Sequence, residues 1–197
     1  MGSAEMPSGQ PAPSRRQQII EVAAQLFAER GFQGVSIYDI GAAMGTSGPA
    51  LYKHFASKDA LLAEMLIDIS ERLLNEGHRR ADGSAADGAE AVLAALVAWH
   101  VEFALTFPAL ITIQFRDLES LSEQDRRTVR RLQRSYVELW VQTISAVVGA
   151  DEEHARSAAH AVFGLINSTP HSARLTPSDM AEQLCRMALA ALLACGS

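Results

Sequence analysis

The sequence predicts an all-α protein of about nine helices, and three observations carry that prediction. Apolar residues make up 48 % of the 197-residue chain, and much of that share is alanine and leucine, both good helix formers. Aromatic residues are only 6 %, and valine, isoleucine and threonine do not cluster in the way that marks strands. Apolar positions recur at helical spacing along the chain, with no strand-like alternation and no internal repeat.

The elements follow in order. The polar, Pro/Gly/Ser-rich stretch 1–13 reads as a disordered arm, with Met6 a candidate natural start. Ile19, Ala23, Leu26 and Phe27 define a first helix that Ser14 caps and Gly31 ends. Ser36 caps a second, short helix with Ile37, Ile40 and Met44 inward, and Gly45 breaks it. Ser47 is the next N-cap, and Pro49 is tolerated in the first turn of a third helix whose buried side is Leu51, Tyr52 and Phe55.

Ser57 caps a longer fourth helix striped by Leu62, Met65, Leu66, Ile69 and Leu73, with Asp59 near its positive end. The run "GHRRADGSAADG" over 77–88 is expected to be a linker. Beyond it the periodicity predicts helices over 89–107, ended by Pro108, and over 109–118. Ser122 and Asp151 open two more, and 168–177 is expected to be a loop before a last apolar helix at 178–194.

Composition narrows the function classes. No apolar run approaches the roughly 20 residues that span a bilayer, so no membrane association is expected. Two cysteines, Cys185 and Cys195, fit no metal spacing and form no disulfide framework, which implies a reduced, cytoplasmic setting and neither metal nor cofactor. There is no Gly-rich phosphate loop, nucleophile motif or helical pair of metal ligands, so an enzyme is not expected. The net charge of −6 argues against general nucleic-acid coating but permits a small local DNA-reading surface.

Two short helices joined through Gly45, with a preceding helix to pack on, form the helix-turn-helix arrangement. The second must present small or polar residues at its N-terminal end to enter a major groove, and Thr46-Ser47-Gly48-Pro49-Ala50 does so. Tyr52, Lys53 and His54 behind them suit phosphate or base-edge contacts.

The run "GFQGVSIYDIGAAMGTSGPALYKHFASKDALLAEML", residues 31–66, resembles the DNA-binding domain of the TetR/AcrR family of one-component regulators, with "LYKHF-SK-LL" its most specific part. The close resemblance covers about residues 15–66 and departs from the family at Gly41, Thr46 and Pro49, where alanine, valine and glycine are common. It implies an N-terminal helix-turn-helix DNA-binding domain at 14–58 and a C-terminal ligand-binding and dimerisation domain at 59–197, the fourth helix belonging to both. It further implies phosphate contacts from Ser36, Tyr38, Tyr52, His54 and Lys58, base reading by Ser47, Gly48, Pro49 and Ala50, and an adjacent groove reached by Arg15 and Arg16. Plainer roles remain open: Tyr52 as packing, Tyr38 as a surface aromatic, Arg15 and Arg16 as solvated charges.

The same resemblance implies a homodimeric regulator, most simply a repressor, that binds palindromic double-stranded operator DNA and is released by a small effector held among the fourth to eighth helices. A largely apolar, acyl-type metabolite suits the aromatic-bearing helices. Candidate ligand residues are Trp99, His100, Phe103, Phe107, Phe115, Tyr136, Trp140, Phe163 and Asn167, each equally readable as core. His100 and Asn167 would need polar partners if buried. Five arginines at 126, 127, 130, 131 and 134 read either as an anion site or as a solvated face partnered by Glu123 and Asp125, the second being preferred. Small and apolar residues on the last two helices suit a four-helix dimer interface: Ala158, Ala161, Val162 and Leu165, then Leu184, Met187, Ala188, Ala191 and Leu192. The alternative is a helical DNA-binding or interaction protein with no effector.

Overall fold

The computed structural model describes residues 14–169 and 175–196, which form nine α-helices and no strand. The arm expected at 1–13 and part of the loop expected at 168–177 lie outside the described residues. Helices α1 (Arg15–Arg30), α2 (Ile37–Ala43) and α3 (Gly48–Leu51) make the N-terminal module. The body consists of α4 (Lys58–Ser84), α5 (Ala89–Thr106), α6 (Pro108–Arg116), α7 (Glu123–Val148), α8 (Glu152–Ile166) and α9 (Pro177–Leu193).

Local chemistry sets most boundaries. Ser57 Oγ accepts from Ala60 N–H at 3.0 Å, Ser122 Oγ from Asp125 N–H at 3.1 Å and Thr176 Oγ1 from Asp179 N–H at 3.2 Å, each satisfying an orphan donor of a first turn. Ser36 and Asp39 form a reciprocal capping box on α2: Asp39 N–H reaches Ser36 Oγ at 3.2 Å, and Ser36 N–H reaches Asp39 Oδ2 at 2.7 Å.

The segment 77–88 is not a linker. Helix α4 continues to Ser84, followed by a single 3-10 turn at Ala85–Asp87. The glycine-rich composition misleads because tertiary packing outweighs propensity: Gly77 and Ala81 lie on the buried face, where a small side chain is required. Glu76 binds Arg80 at 2.6 Å, and Arg80 reaches Glu102 on α5 at 3.0 Å.

In the body α4 packs against α5 and α7, α7 against α8, and α9 against α5 and α8, while α6 lies against α1. One continuous core runs from Phe27, Phe32 and Phe55 in the N-terminal module to Trp140 and Ile144 in the body. Helix α5 is long and apolar enough to cross a membrane by composition alone, but Leu93, Leu96, Val97 and Phe103 are buried in this core.

Candidate DNA-reading surface and effector cavity

The turn between α2 and α3 depends on glycine. Gly45 has φ +65°, the left-handed region that costs a side-chain-bearing residue energy. Gly41 and Gly48 then bring the two helices into backbone contact: a Cβ on Gly41 would lie 2.7 Å from the Gly48 nitrogen, and one on Gly48 would lie 2.8 Å from Tyr38 Cδ1. Gly48 is therefore buried against Tyr38 and presents no base-reading group. Around it Ser47, Pro49, Tyr52 and Lys53 are exposed, and Ala50 and His54 are half-buried. Tyr38 and Tyr52 are the two large aromatic side chains left open to solvent here, so Tyr52 does not complete the buried side of α3; Leu51 and Phe55 do. Regular α3 is one turn long, and Tyr52–His54 continue it as turns.

Three cations expected at the DNA are placed differently from one another. Arg15 is exposed and donates to Gln18 Oε1 at 3.2 Å. Arg16 is tied down: it pairs with Glu64 through Nε at 2.6 Å, donates to the His54 carbonyl, and lies 4.2 Å over the Phe55 ring. Lys58 Nζ donates to the carbonyls of Phe32 and Val35, both at 2.8 Å, and sits 4.2 Å from the Phe32 ring centroid. These contacts latch the start of α4 to the α1–α2 connection. The Ser36 hydroxyl is likewise engaged, donating to Asp39 at 2.5 Å, which holds the Asp39 carboxyl below its ordinary range.

The body holds a cavity of about 430 Å³ between α4, α5, α6, α7 and α8. His100, Phe115, Tyr136, Phe163 and Asn167 line it. Trp99, Phe103, Phe107 and Trp140 do not. Trp99 donates its indole N–H to the Leu73 carbonyl at 3.2 Å; Phe103 is fully buried and packs at 5.3 Å on Phe107. Phe107 borders a separate cleft against α1, beneath the Arg72 guanidinium at 4.8 Å. Trp140 supports the cavity from behind, edge-on to Phe163 at 4.9 Å and to His100 at 5.9 Å.

Sequence reasoning missed four polar wall residues: Ser70, Gln114, Gln133 and His160. Ser70 carried a readable signal, as the polar break in the apolar stripe of α4; its hydroxyl donates to the Leu66 carbonyl at 2.7 Å. Gln133 falls one turn before Tyr136 on α7, but glutamines on a charged helix look like any solvated residue.

At the inner end His100 joins two walls. Its Nδ1 is 3.3 Å from the Tyr136 hydroxyl and its Nε2 is 3.2 Å from Asn167 Oδ1. Burial lowers the His100 pKa to about 4, partly offset by the Asn167 hydrogen bond, so the ring is neutral at pH 7. A neutral ring carries one N–H; it donates to Asn167, and Nδ1 accepts from Tyr136. Burial also pushes the Tyr136 phenol up, so it stays protonated and able to donate. No lysine, arginine, aspartate or glutamate is among the described residues that line the cavity.

The arginines of α7 are largely neutralised in place. Arg126 and Arg130 both bind Glu119, at 2.8 and 2.7 Å, and Arg127 lies 3.4 Å from Glu123. Arg131 and Arg134 are exposed. Of the candidate dimer residues, Ala158, Val162, Leu184, Ala188 and Leu192 are buried within the subunit, while Ala161, Met187 and Ala191 face outward and Leu165 is half-buried.

The family model for bacterial regulatory proteins of the tetR family matches residues 19–65, and that for the tetracyclin repressor-like C-terminal domain matches 86–192. The chain belongs to the TetR family. Among TetR-family relatives it is 31 % identical over 135 residues to the HTH-type transcriptional repressor KstR2 of Rhodococcus jostii, an alignment covering 68 % of this chain and 65 % of that repressor's length. It is also similar to the solved structure of a TetR-family transcriptional regulator from Bordetella parapertussis (TM-score 0.79, 26 % identity, 88 % of this chain and 93 % of that one). A structure of the ketosteroid transcriptional regulator KstR2 of Mycobacterium tuberculosis shares the fold (TM-score 0.80, 21 % identity, 91 % and 95 % covered). The TetR family is one of transcriptional regulators, which agrees with the helix-turn-helix and cavity described above.

Proposed function

We propose that the chain is a cytoplasmic, homodimeric transcriptional repressor, not an enzyme, whose hold on palindromic operator DNA is weakened by an apolar effector in the 430 Å³ cavity. One observation carries the reading: α4 is a single 27-residue helix that begins at the helix-turn-helix and forms a wall of the cavity through Ser70 and Leu73. An occupant that moves this wall therefore moves the recognition helix. Two such helices in a dimer must meet half-sites about 34 Å, or a multiple of that, apart, so a small tilt of α4 costs affinity.

Ser47, Pro49 and Ala50 are the base-facing candidates, with Tyr38, Tyr52, Lys53, His54 and Arg15 on the flanking backbone. Arg16, Ser36 and Lys58 support that surface from within. The Rhodococcus relative is a repressor, which supports repression rather than activation. For dimerisation the outward faces of α8 and α9 offer Ala161, Leu165, Met187 and Ala191, with Met187 and Leu193 among the exposed large apolar side chains.

The test is fluorescence anisotropy with the palindromic segment beside the gene, against scrambled DNA and over a salt series. Tight, selective, salt-sensitive binding that drops when the cavity is filled is the expected result. Equal binding to both DNAs overturns the regulator reading. Selective binding that no cavity ligand alters overturns the effector.

A further inference from the structure

The polar end of the cavity specifies more than apolar character. The His100 N–H is spent on Asn167 Oδ1, and the Tyr136 O–H is spent on His100 Nδ1. The side-chain amide of half-buried Asn167 keeps two N–H donors, which make no hydrogen bond to the described residues. Asn167 lines the cavity, so those donors can be met only by an occupant or by water. The chain His100–Asn167 also fixes the amide: its oxygen faces the imidazole, which leaves its nitrogen for the ligand.

Charge excludes the commoner oxygen ligand. A carboxylate held here would meet no lysine or arginine among the described residues that line the cavity, and Arg126 and Arg130 on α7 are bound to Glu119. An unpaired buried carboxylate costs far more than an unpaired neutral group.

Resting on the effector-cavity reading above, we propose that the cavity selects an uncharged apolar molecule bearing a carbonyl oxygen, which accepts from the Asn167 amide nitrogen. The rest of the molecule fills the apolar walls made by Leu73, Ile111, Val137 and Phe163. Tyr136 and His100 act as positioning residues: they hold the Asn167 amide with its nitrogen toward the ligand, and neither touches the carbonyl itself.

The test is calorimetric titration of the full chain with three probes of one ring size: cyclododecanone, methylenecyclododecane and cyclododecanecarboxylate. Replacing the ketone oxygen by a CH2 group keeps the shape and removes the acceptor, stranding the amide donors. Cyclododecanone should bind at least about tenfold more tightly than the methylene compound, and the carboxylate should be weakest. Asn167→Asp keeps an acceptor for His100 and removes both donors, so it should erase the preference for the ketone; Asn167→Leu should do the same.

Equal affinity for ketone and methylene compound, tightest binding of the carboxylate, or no binding of any probe overturns the proposal. The comparison on the unmodified chain decides even if the variants misfold. Ketone-selective binding that leaves operator affinity unchanged would count against the effector role while leaving this assignment standing.

Discussion

Arg116, the last residue of α6, donates from Nη1 to the carbonyl of Ala28 at 3.1 Å, across 88 positions of sequence. Its other terminal nitrogen donates to the Phe27 carbonyl and binds the nearly buried Asp117 at 3.0 Å. The Ala28 carbonyl has no partner within α1, and the Phe27 carbonyl also accepts from Gly31 N–H at 2.8 Å, so the arginine serves as a C-terminal cap supplied from another helix. Helix α6 also lines the cavity through Ile111, Gln114 and Phe115. The cavity thus touches the DNA-binding module by two routes, α4 and this guanidinium.

Replacing Arg116 by Ala should lower unfolding stability by about 1–3 kcal/mol, since charged hydrogen bonds disappear and Asp117 is left without its cation. Hydrogen exchange at the end of α1 should accelerate, and effector-dependent release of DNA should become shallower. A variant with unchanged exchange in α1 would show that the clasp is not formed in solution.

The sequence made the DNA-binding module readable because its signals are local. Ser14, Ser36, Ser47 and Ser57 stand where the helices start, Gly45 where the turn needs a positive φ, and the apolar stripes of α1 and α4 are the buried ones. Failure came where long-range packing decides. Gly77 and Ala81 read as a linker, yet they are helical and buried, Gly77 where an added Cβ would lie 2.8 Å from the Tyr136 ring. Lys58 reads as a phosphate contact and Arg16 as reaching an adjacent groove, and only the fold reveals the carbonyls and carboxylate that hold them. In the body, periodicity finds the aromatic stripe of α5 but cannot tell His100, which meets the cavity, from Phe103, which fills the core beside it.

Gly41 illustrates the same limit and gives a second prediction. At Gly41 an added Cβ would press on the Gly48 backbone at 2.7 Å, and backbone cannot swing aside as a side chain can. Gly41→Ala should therefore destabilise the module by about 1–3 kcal/mol and displace α3 from Tyr38. Thermal unfolding and operator titration read the two effects. An alanine variant as stable as the parent would mean that α3 gives way freely.

The buried His100 predicts a pH dependence of stability. Its pKa lies near 4 in the folded chain against 6.5 when free, so the folded state resists protonation and the unfolded state does not. Above pH 6.5 both states are neutral and the group contributes nothing. As pH falls from 6.5 toward 4 the unfolded chain takes up the proton first, and stability is lost; by pH 5 the loss should be about 2 kcal/mol. The exposed His154–Asp151 pair has the opposite sign, because its histidine pKa is raised, but exposure keeps that contribution small. Urea denaturation of the parent and of His100→Phe at pH 7.5 and pH 5 isolates the buried group. The variant should lose markedly less stability on acidification than the parent; equal losses would place the proton elsewhere.

Two lysines five positions apart should separate folding from DNA affinity. Lys58 is held by two carbonyls at 2.8 Å, so Lys58→Met should cost about 2 kcal/mol of stability, and weaken DNA binding only as the module loosens. Lys53 is exposed, and no hydrogen bond or ion pair holds it among the described residues. Lys53→Ala should therefore leave the unfolding midpoint unchanged while lowering affinity for operator and random DNA alike. Removing one lysine–phosphate ion pair should also flatten the slope of log affinity against log salt by about 1. The arrangement would be refuted if Lys58→Met left stability intact, or if Lys53→Ala changed sequence preference without changing the salt slope. In the first case Lys58 would be free for phosphate after all; in the second, Lys53 would read a base edge, and the groove-facing end of α3 would extend one turn further than Ser47, Pro49 and Ala50.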